Sequence, residues 1–287
     1  PDLFKSCYKL IILDLSNNFL NNLTNVFNAL RPVQFNLKEL KLTGNMIENL
    51  IDFPKFPNLE ILDLSYNKIK IINDNSFYSL SKLTHLFLTN NQIELIENDA
   101  FKYSKNLNII LLNNNMLQRT PRISNLSKLK ILDMVNQNGN LKKLNDYAFE
   151  RIEKPHNSLS IHLDFNDVEN VGNKTFCSRY YNISEIFNLD MTMNSIKSIN
   201  RCILKQLNSG LSTRVYLDVG LTQQPIEKHS EVCNCDFKKF VSKYKIDLVG
   251  ACGQLTNICE PQKIDDKNED ECTNRQEFTC DLHQKNF

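Results

Sequence analysis

Cysteine is the residue type whose number and spacing point to the most specific chemistry in this chain. Of the nine cysteines, six lie within residues 233–287, at Cys233, Cys235, Cys252, Cys259, Cys272 and Cys280. Thiols at this density form disulfides in an oxidising compartment or bind zinc in a reducing one, with His229 available as a further ligand. The C-x-C spacing of the first two does not favour zinc, so we expect disulfides. Six cysteines allow fifteen pairings, and spacing leaves the pairing open.

The remaining chemistry-bearing residues form no catalytic pattern. The chain has five histidines but no Gly-x-Ser-x-Gly motif, no glycine-rich phosphate loop and no His pair at metal-ligand spacing. We therefore expect no enzyme activity, no cofactor and no metal site.

Charge and hydropathy narrow the partners further. Thirty-four basic and 33 acidic residues give a net charge of +1, so no field over the whole chain attracts nucleic acid. The sequence contains no run of about eighteen apolar residues, so no membrane-spanning helix is predicted. Its first residues lack the charged-then-apolar pattern of a signal peptide. A protein is the expected partner.

The elements that position any functional residue are visible as a repeat. Asn and Leu supply 40 and 39 of the 287 residues. The template L-x-x-L-x-L-x-x-N-x-L begins at six sites, and degraded copies begin at Ser158, Ile186 and Ser212. The six clear copies begin at Leu10, Leu37, Leu59, Leu83, Leu107 and Leu129. We expect about nine units over residues 1–232, with further repeats missing before the first.

The period-two core of the template predicts a short strand in each unit, with leucines inward and the intervening residues outward. Stacking the units buries one leucine row against the next. The ninth template position predicts an inward, structural Asn at Asn18, Asn45, Asn67, Asn91, Asn115, Asn166 and Asn194. A phenylalanine eight residues after the eleventh position predicts an aromatic spine on the far side, formed by Phe77, Phe101, Phe149 and Phe176, with Phe4 upstream.

These patterns resemble the leucine-rich repeat family over most of the chain. The resemblance implies an α/β-type solenoid, a horseshoe with a parallel concave β-sheet and an irregular convex side. Residues 233–287 resemble the cysteine-rich C-terminal cap of extracellular members, with a helix over 236–244. By that resemblance Cys233 pairs with Cys259 and Cys235 with Cys280, which leaves Cys252 to pair with Cys272.

The other three cysteines are interpreted within the repeat frame. Cys7 stands where Leu80 stands in a later unit, so we expect a buried free thiol. Cys177 and Cys202 fall on the same outer side of adjacent units, roughly 5 Å apart, which is within disulfide reach. A disulfide between them or two buried free thiols both fit the sequence.

Glycosylation sequons agree with an exported protein. Asn22, Asn125, Asn173 and Asn182 each begin an N-x-S/T motif, and none lies at an outward strand position. Together with the cap, they predict an extracellular location, either secreted or as part of a cell-surface protein.

The outward strand residues predict a binding surface on the concave face. In the middle units, several of them are apolar and are edged by polar groups, which is typical of an interaction patch, although scattered surface apolar residues are the alternative. The candidate ligand-binding residues are His85, Phe87, Ile109, Leu111, Asn113, Val135, His162, Asp164, Phe165, Phe187 and Asp190. Met193 is expected to point outward with the apolar residues of this set, and Asn136 and Asn188 are expected to lie at its polar edge. A frame error in the unit at Ser158 would instead turn Phe165 inward.

The irregular repeat lengths, the aromatic spine and the cap together resemble the C-terminal part of a Toll-family receptor ectodomain. The resemblance implies a protein ligand or receptor partner, homo- or heterodimers, and a membrane anchor outside this chain. Two alternatives remain open: a secreted leucine-rich repeat binder without an anchor, and an adhesion or matrix protein.

Overall fold

The computed structural model describes residues 3–50, 53–123, 126–149, 159–176, 186–196, 203, 213–217 and 246–250. Its main element is a parallel sheet of ten strands, in which spatial neighbours follow chain order. The strands of this sheet are β1 (Ile12–Asp14), β2 (Glu39–Lys41), β3 (Ile61–Asp63), β5 (His85–Phe87), β7 (Ile109–Leu111), β8 (Ile131–Asp133), β10 (Leu159–His162), β12 (Ile186–Met191), β13 (Thr213–Leu217) and β14 (Ile246–Gly250). The first nine of these strands each belong to one coil of the stack, as the template predicts, whereas β14 is an additional strand that the template does not predict.

The leucines of the template form the core that holds the stack together. From the second unit to the seventh, the residues at template positions four and six are fully buried, as Leu62 and Leu64 are in the third unit. The residue between each pair is only partly buried because it points to the opposite side of the sheet. Burying a leucine contributes roughly 1.5–3 kcal/mol, so the repeated pair dominates the stability of every coil.

The ninth-position amides join neighbouring coils. Asn67 Nδ2 donates to the carbonyl oxygens of Leu64 in its own coil and Leu42 in the preceding coil, at 3.0 and 2.9 Å. Its Oδ1 accepts from the backbone N–H of Ile47 at 3.0 Å. The same pattern recurs at Asn91 and Asn115, so the predicted inward, structural role is confirmed for these asparagines. Asn18 in the first unit is exposed and donates only to carbonyls of its own coil, so the prediction that it points inward is wrong.

The sixth unit keeps this arrangement with different residues. Gln137 takes the asparagine's place and donates to the Leu112 carbonyl at 2.9 Å. In this unit, which begins at Leu129, template position eleven is Gly139. The buried side chain that this position provides in other units comes two residues later, at Leu141. Asn138 and Gly139 have positive φ and form an extra turn, so the spacing expected for Phe149 is wrong by two residues.

The convex side consists of short elements packed over the aromatic spine. Helix α1 (Leu23–Leu30) begins at Asn22, whose side chain accepts hydrogen bonds from the N–H groups of Thr24 and Asn25. Four two-residue strands pair as β4 (Ile71–Ile72) with β6 (Leu95–Ile96), and β9 (Lys143–Leu144) with β11 (Asn170–Val171).

The aromatic spine is confirmed and extends further than predicted. Phe77 and Phe101 stack with ring centroids 6.1 Å apart, and Phe149 and Phe176 stack at 5.8 Å. Phe53 and Phe27 continue the row toward the first units. Phe4 is partly buried and packs against the same core.

The first unit is the most exposed part of the described core. Cys7 is a free, exposed cysteine, so the expectation of a buried thiol is wrong. Its turn matches that of Leu80, since Leu10 N–H donates to the Cys7 carbonyl just as Leu83 N–H donates to that of Leu80. The difference is that no described residue packs on the outer side of the first coil.

Several sequence-based predictions fall outside the described residues. They concern Cys177, Cys202, the six cysteines of residues 233–287, the sequons at Asn125 and Asn182, and the helix over 236–244. Strand β14 lies within the segment assigned to the cap and pairs with β13, so the sheet continues into that segment. Within the described ranges, no helix is long and apolar enough to cross a bilayer.

Candidate functional site

The strand register places the predicted binding residues in parallel columns on the exposed face of the sheet, which we call the concave face. The residues at template position five form one continuous column of paired Cα atoms, which runs across the sheet from β1 to β13. Its members are Asp14, Lys41, Asp63, Phe87, Leu111, Asp133, His162, Asp190 and Tyr216. Because parallel strands lie roughly 5 Å apart, residues in adjacent coils touch across this face.

The centre of the concave face is apolar. Phe87, Ile109, Leu111 and Val135 are partly exposed there, while their alternating neighbours lie in the core. Phe87 pairs with Leu111, and His85 pairs with Ile109, in the register between β5 and β7. Together with Phe165 and Met193 in the next two coils, these side chains form what we call the apolar patch.

Polar groups border the patch and are held by short hydrogen bonds. Asn113 Oδ1 accepts from the Thr89 hydroxyl at 2.6 Å, and Asn136 Nδ2 donates to Asn114 Oδ1 at 2.9 Å. The His85 ring lies edge-on to Phe87, with centroids 6.1 Å apart. The polar side chains next to the patch are therefore fixed before any partner arrives.

Template position eight has a backbone conformation that most residues avoid. All eight described members of this column have positive φ, and five of them are Asn or Gly, namely Asn17, Gly44, Asn90, Asn114 and Asn136. Asn and Gly tolerate the left-handed region at little cost. The other three are Tyr66, Phe165 and Met193.

Phe165 and Met193 are consequently displayed at the rim of the concave face. They have φ of 53° each, and 57% and 49% of their surface is exposed. The expectation that both point outward is confirmed, and the frame error that would have buried Phe165 is excluded. Phe187 is the extra residue where the register shifts between β10 and β12, and its side chain lies outside the described part of the chain.

Three further side chains converge beside Phe165. His162, Asp164 and Asp190 each place one potential ligand atom within 4.8 Å of the others. Burial raises the pKa of the Asp164 carboxyl, and the negative charges of Asp190 and Asp133 raise it further. One Asp190 carboxylate oxygen accepts from the N–H and hydroxyl of Thr192, at 3.0 and 2.8 Å.

Sequence reasoning named these three residues separately but did not bring them together. His162 and His85, the two histidines among these candidates, are three strand steps apart, about 15 Å, which is too far for them to share a metal ion. The signal was available in the template, since positions five and seven of one unit adjoin position five of the next. Because imidazole and carboxylate groups bind divalent metals, this cluster is the one part of the described chain that can hold such an ion.

Comparisons with known proteins agree with the architecture. A family model described as leucine rich repeat matches residues 35–93. Among solved structures, the crystal structure of the APL1 leucine-rich repeat domain is similar, with a TM-score of 0.52 at 19% sequence identity. The fold is a leucine-rich repeat solenoid. The alignment covers 76% of this chain and 51% of the other, so the chain spans about half the length of that structure. No curated protein sequence matches the chain.

A leucine-rich repeat solenoid carries its interactions on extended surfaces and not in a closed pocket. Two of the described cavities are open to solvent: one adjoins the apolar patch, since it is lined by Thr84 and Asn108, and another adjoins β9 and β11. The architecture is therefore that of a protein-interaction module, in which the concave face offers the broad apolar contact area.

Proposed function

We propose that this chain recognises a protein through the concave face of its solenoid, as part of the extracellular ectodomain of a Toll-family receptor. The observation that carries the proposal is the display of Phe165 and Met193, which are bulky, apolar, half exposed and held at positive φ. A bulky side chain in this backbone region costs of order 1–3 kcal/mol. Tyr66 shares this conformation and exposure, but Phe165 and Met193 lie in adjacent coils, so two exposed apolar side chains stand next to each other there.

The surroundings of these two residues support a protein as the ligand. Phe87 and Leu111 are paired on adjacent strands, Val135 lies one coil further on, and the His85 ring and the hydrogen-bonded amides of Asn113 and Asn136 lie beside them. An apolar centre with a polar border is the usual composition of a protein interface. The concave face is an open surface, which suits a macromolecule better than a small ligand, because small ligands bind in deeper cavities.

The extracellular location is supported by the cysteine distribution and by two sequons. Asn22 and Asn173 are exposed on the surface of the solenoid. Asn22 uses its Oδ1 to cap helix α1, so the amide nitrogen that would carry a glycan makes no hydrogen bond within the described chain. Secretion from eukaryotic cells should therefore yield a glycosylated protein whose mass falls after enzymatic removal of N-linked glycans.

The recognition proposal is tested by removing the displayed side chains without disturbing the fold. In the double variant Phe165→Asn/Met193→Asn, each new residue suits positive φ, so folding is expected to remain intact. Tyr66→Asn is the matched control, because Tyr66 has the same backbone conformation and similar exposure, 59%, in a distant coil.

Immobilised wild-type and variant ectodomains are incubated with native extracellular fluid, and the captured proteins are quantified by mass spectrometry. A protein enriched by the wild type is then purified, and its affinity for each variant is measured. We expect the double variant to bind at least about tenfold more weakly and the control to bind normally, since central apolar residues dominate interface energies. Equal affinities would overturn the proposal.

Whether the chain belongs to a membrane-anchored receptor is a separate question. A transcript that continues past Phe287 into a membrane span and a signalling domain is the expected result. A stop codon at that point would favour the secreted binder, and aggregation of cells coated with the ectodomain would favour the adhesion protein.

A further inference from the structure

The cluster of His162, Asp164 and Asp190 has a chemistry different from that of the apolar patch beside it. We propose that these three residues bind a divalent transition-metal ion, and that Zn²⁺ is the ion the donor set suits best. The site would lie on the rigid part of the concave face and would not depend on the proposed protein recognition.

The sheet positions the three ligands. His162 and Asp190 are paired Cα partners on β10 and β12, and Asp164 follows His162 by two residues. Backbone hydrogen bonds of 2.8 Å from Leu163 N–H to the Asp190 carbonyl, and from Met134 N–H to the His162 carbonyl, fix the strands on both sides. Ligands carried by hydrogen-bonded neighbouring strands are largely preorganised.

The separation of the donor atoms permits closure around one ion. All three lie within 4.8 Å of one another. Ligands of a tetrahedral zinc ion, bound at about 2.0–2.1 Å, are roughly 3.3 Å apart. Rotation about the side-chain bonds of these partly exposed residues covers that difference, so the backbone does not need to move.

The composition of the donor set selects the class of metal. One imidazole nitrogen and two carboxylate oxygens suit Zn²⁺ and related transition metals, whereas Ca²⁺ and Mg²⁺ prefer oxygen ligands throughout. The imidazole therefore separates this cluster from an ordinary group of surface acids. Three protein ligands leave the fourth position for water or for a group from a partner.

The charge around the cluster favours a cation. Asp133 lies beside His162 in the register of β8 and β10, so three carboxylates surround one imidazole. Among the described residues, the ion pairs form elsewhere on the solenoid, and none involves Asp133, Asp164 or Asp190. A bound divalent ion would offset the repulsion between these carboxylates.

A neighbouring polar atom gives independent support. Asn188 lies on the same face of β12, two residues before Asp190, and its Oδ1 is buried without a hydrogen-bond partner in the described structure. Its Nδ2 donates to the Ser160 hydroxyl at 3.3 Å. A water molecule on an ion bound at the cluster would be a donor for this oxygen.

The test measures Zn²⁺ binding directly. The full chain, produced under oxidising conditions and with free thiols alkylated, is titrated with ZnCl₂ in a non-chelating buffer by isothermal titration calorimetry. Alkylation is needed because Cys7 is free and exposed and would bind zinc by itself. Two site variants, His162→Ala and Asp190→Asn, are compared with His85→Ala, which removes the other described histidine of the concave face.

We expect one Zn²⁺ per chain for the wild type and for His85→Ala, with at least about tenfold weaker binding in both site variants. Unchanged secondary structure by circular dichroism shows that the variants are folded. Absence of stoichiometric binding, or equal binding by His162→Ala, would overturn the proposal. A chain that does not bind Zn²⁺ could still capture a protein through Phe165 and Met193, so the two proposals fail independently. Normal Zn²⁺ binding by the Phe165→Asn/Met193→Asn variant is expected, because the metal ligands are unchanged in it.

Discussion

Replacing Asn67 with alanine tests how the coils are joined. The Asn67 amide donates to the carbonyls of Leu42, Leu64 and Ser65 at 2.9–3.1 Å, and its Oδ1 accepts from Ile47 N–H at 3.0 Å. The Leu42 and Leu64 carbonyls keep other donors, because Asn45 also bonds to the former and Asn91 to the latter. The Ile47 N–H has no second acceptor among the described residues.

The expected loss of stability follows from these contacts. A buried N–H left without an acceptor costs roughly 1–3 kcal/mol, and each lost hydrogen bond contributes about 0.5–1.5 kcal/mol net. Because the Leu42 and Leu64 carbonyls retain other donors, the hydrogen bonds that they lose contribute free energy at the lower end of this range. We therefore expect Asn67→Ala to lower the free energy of unfolding by about 3 kcal/mol.

Asn18→Ala is the matched control at the equivalent position of the first unit. Asn18 is exposed and donates only within its own coil, to Leu15 and Ser16, each at 3.0 Å. We expect this change to cost less than about 1 kcal/mol, because water replaces the lost partners. Urea unfolding followed by circular dichroism measures both variants. Equal losses for the two would refute the interpretation that the buried amide joins neighbouring coils.

Three further changes test the core, the turn column and the charge cluster. Phe77→Ala should lower the free energy of unfolding by about 3–5 kcal/mol in urea, because it opens a cavity between the rings of Phe53 and Phe101; a loss below about 1 kcal/mol would contradict a packed spine. Phe165→Asn should raise the melting temperature, since asparagine fits positive φ, by an amount equivalent to about 1 kcal/mol; a lower melting temperature would show that Phe165 contributes to packing. Asp164→Asn should stabilise the metal-free chain near pH 7 by about 0.5 kcal/mol, and this gain should vanish below the ordinary aspartate pKa.

The sign of the last prediction follows from the direction of the pKa shift. Because the pKa of Asp164 is raised in the folded state, the folded chain favours the protonated carboxyl. Stability is therefore greatest below the unfolded-state pKa and falls as pH rises through the folded-state pKa. Urea titrations of wild type and Asp164→Asn at several pH values measure the difference, and a gain that grows toward acid would contradict this sign.

The regular part of the fold was predictable because a single physical constraint repeats. A strand with inward leucines must place its intervening residues outward, so the template alone predicts the column from Asp14 to Tyr216 that the register confirms. The inward asparagines were predictable for the same reason, since the chain has to leave each strand at the same point.

The features that sequence reasoning missed depend on contacts between coils or on departures from the period. The exposure of Cys7 depends on what packs beside the first coil, and the template carries no information on that. The extra turn at Asn138 and Gly139 breaks the count without breaking the core. The template places His162 and Asp190 in one column, but it does not specify how their side chains and that of Asp164 turn toward one another across β10 and β12.

The central claim is that the concave face around Phe165 contacts a protein. A photo-crosslinking amino acid placed at residue 165 tests this most directly, with the same group at Tyr78 as the control, because Tyr78 is equally exposed on the convex side. After irradiation in native extracellular fluid, we expect a defined covalent adduct from position 165 and none from position 78. An adduct only from position 78, or the same weak background from both positions, would contradict it.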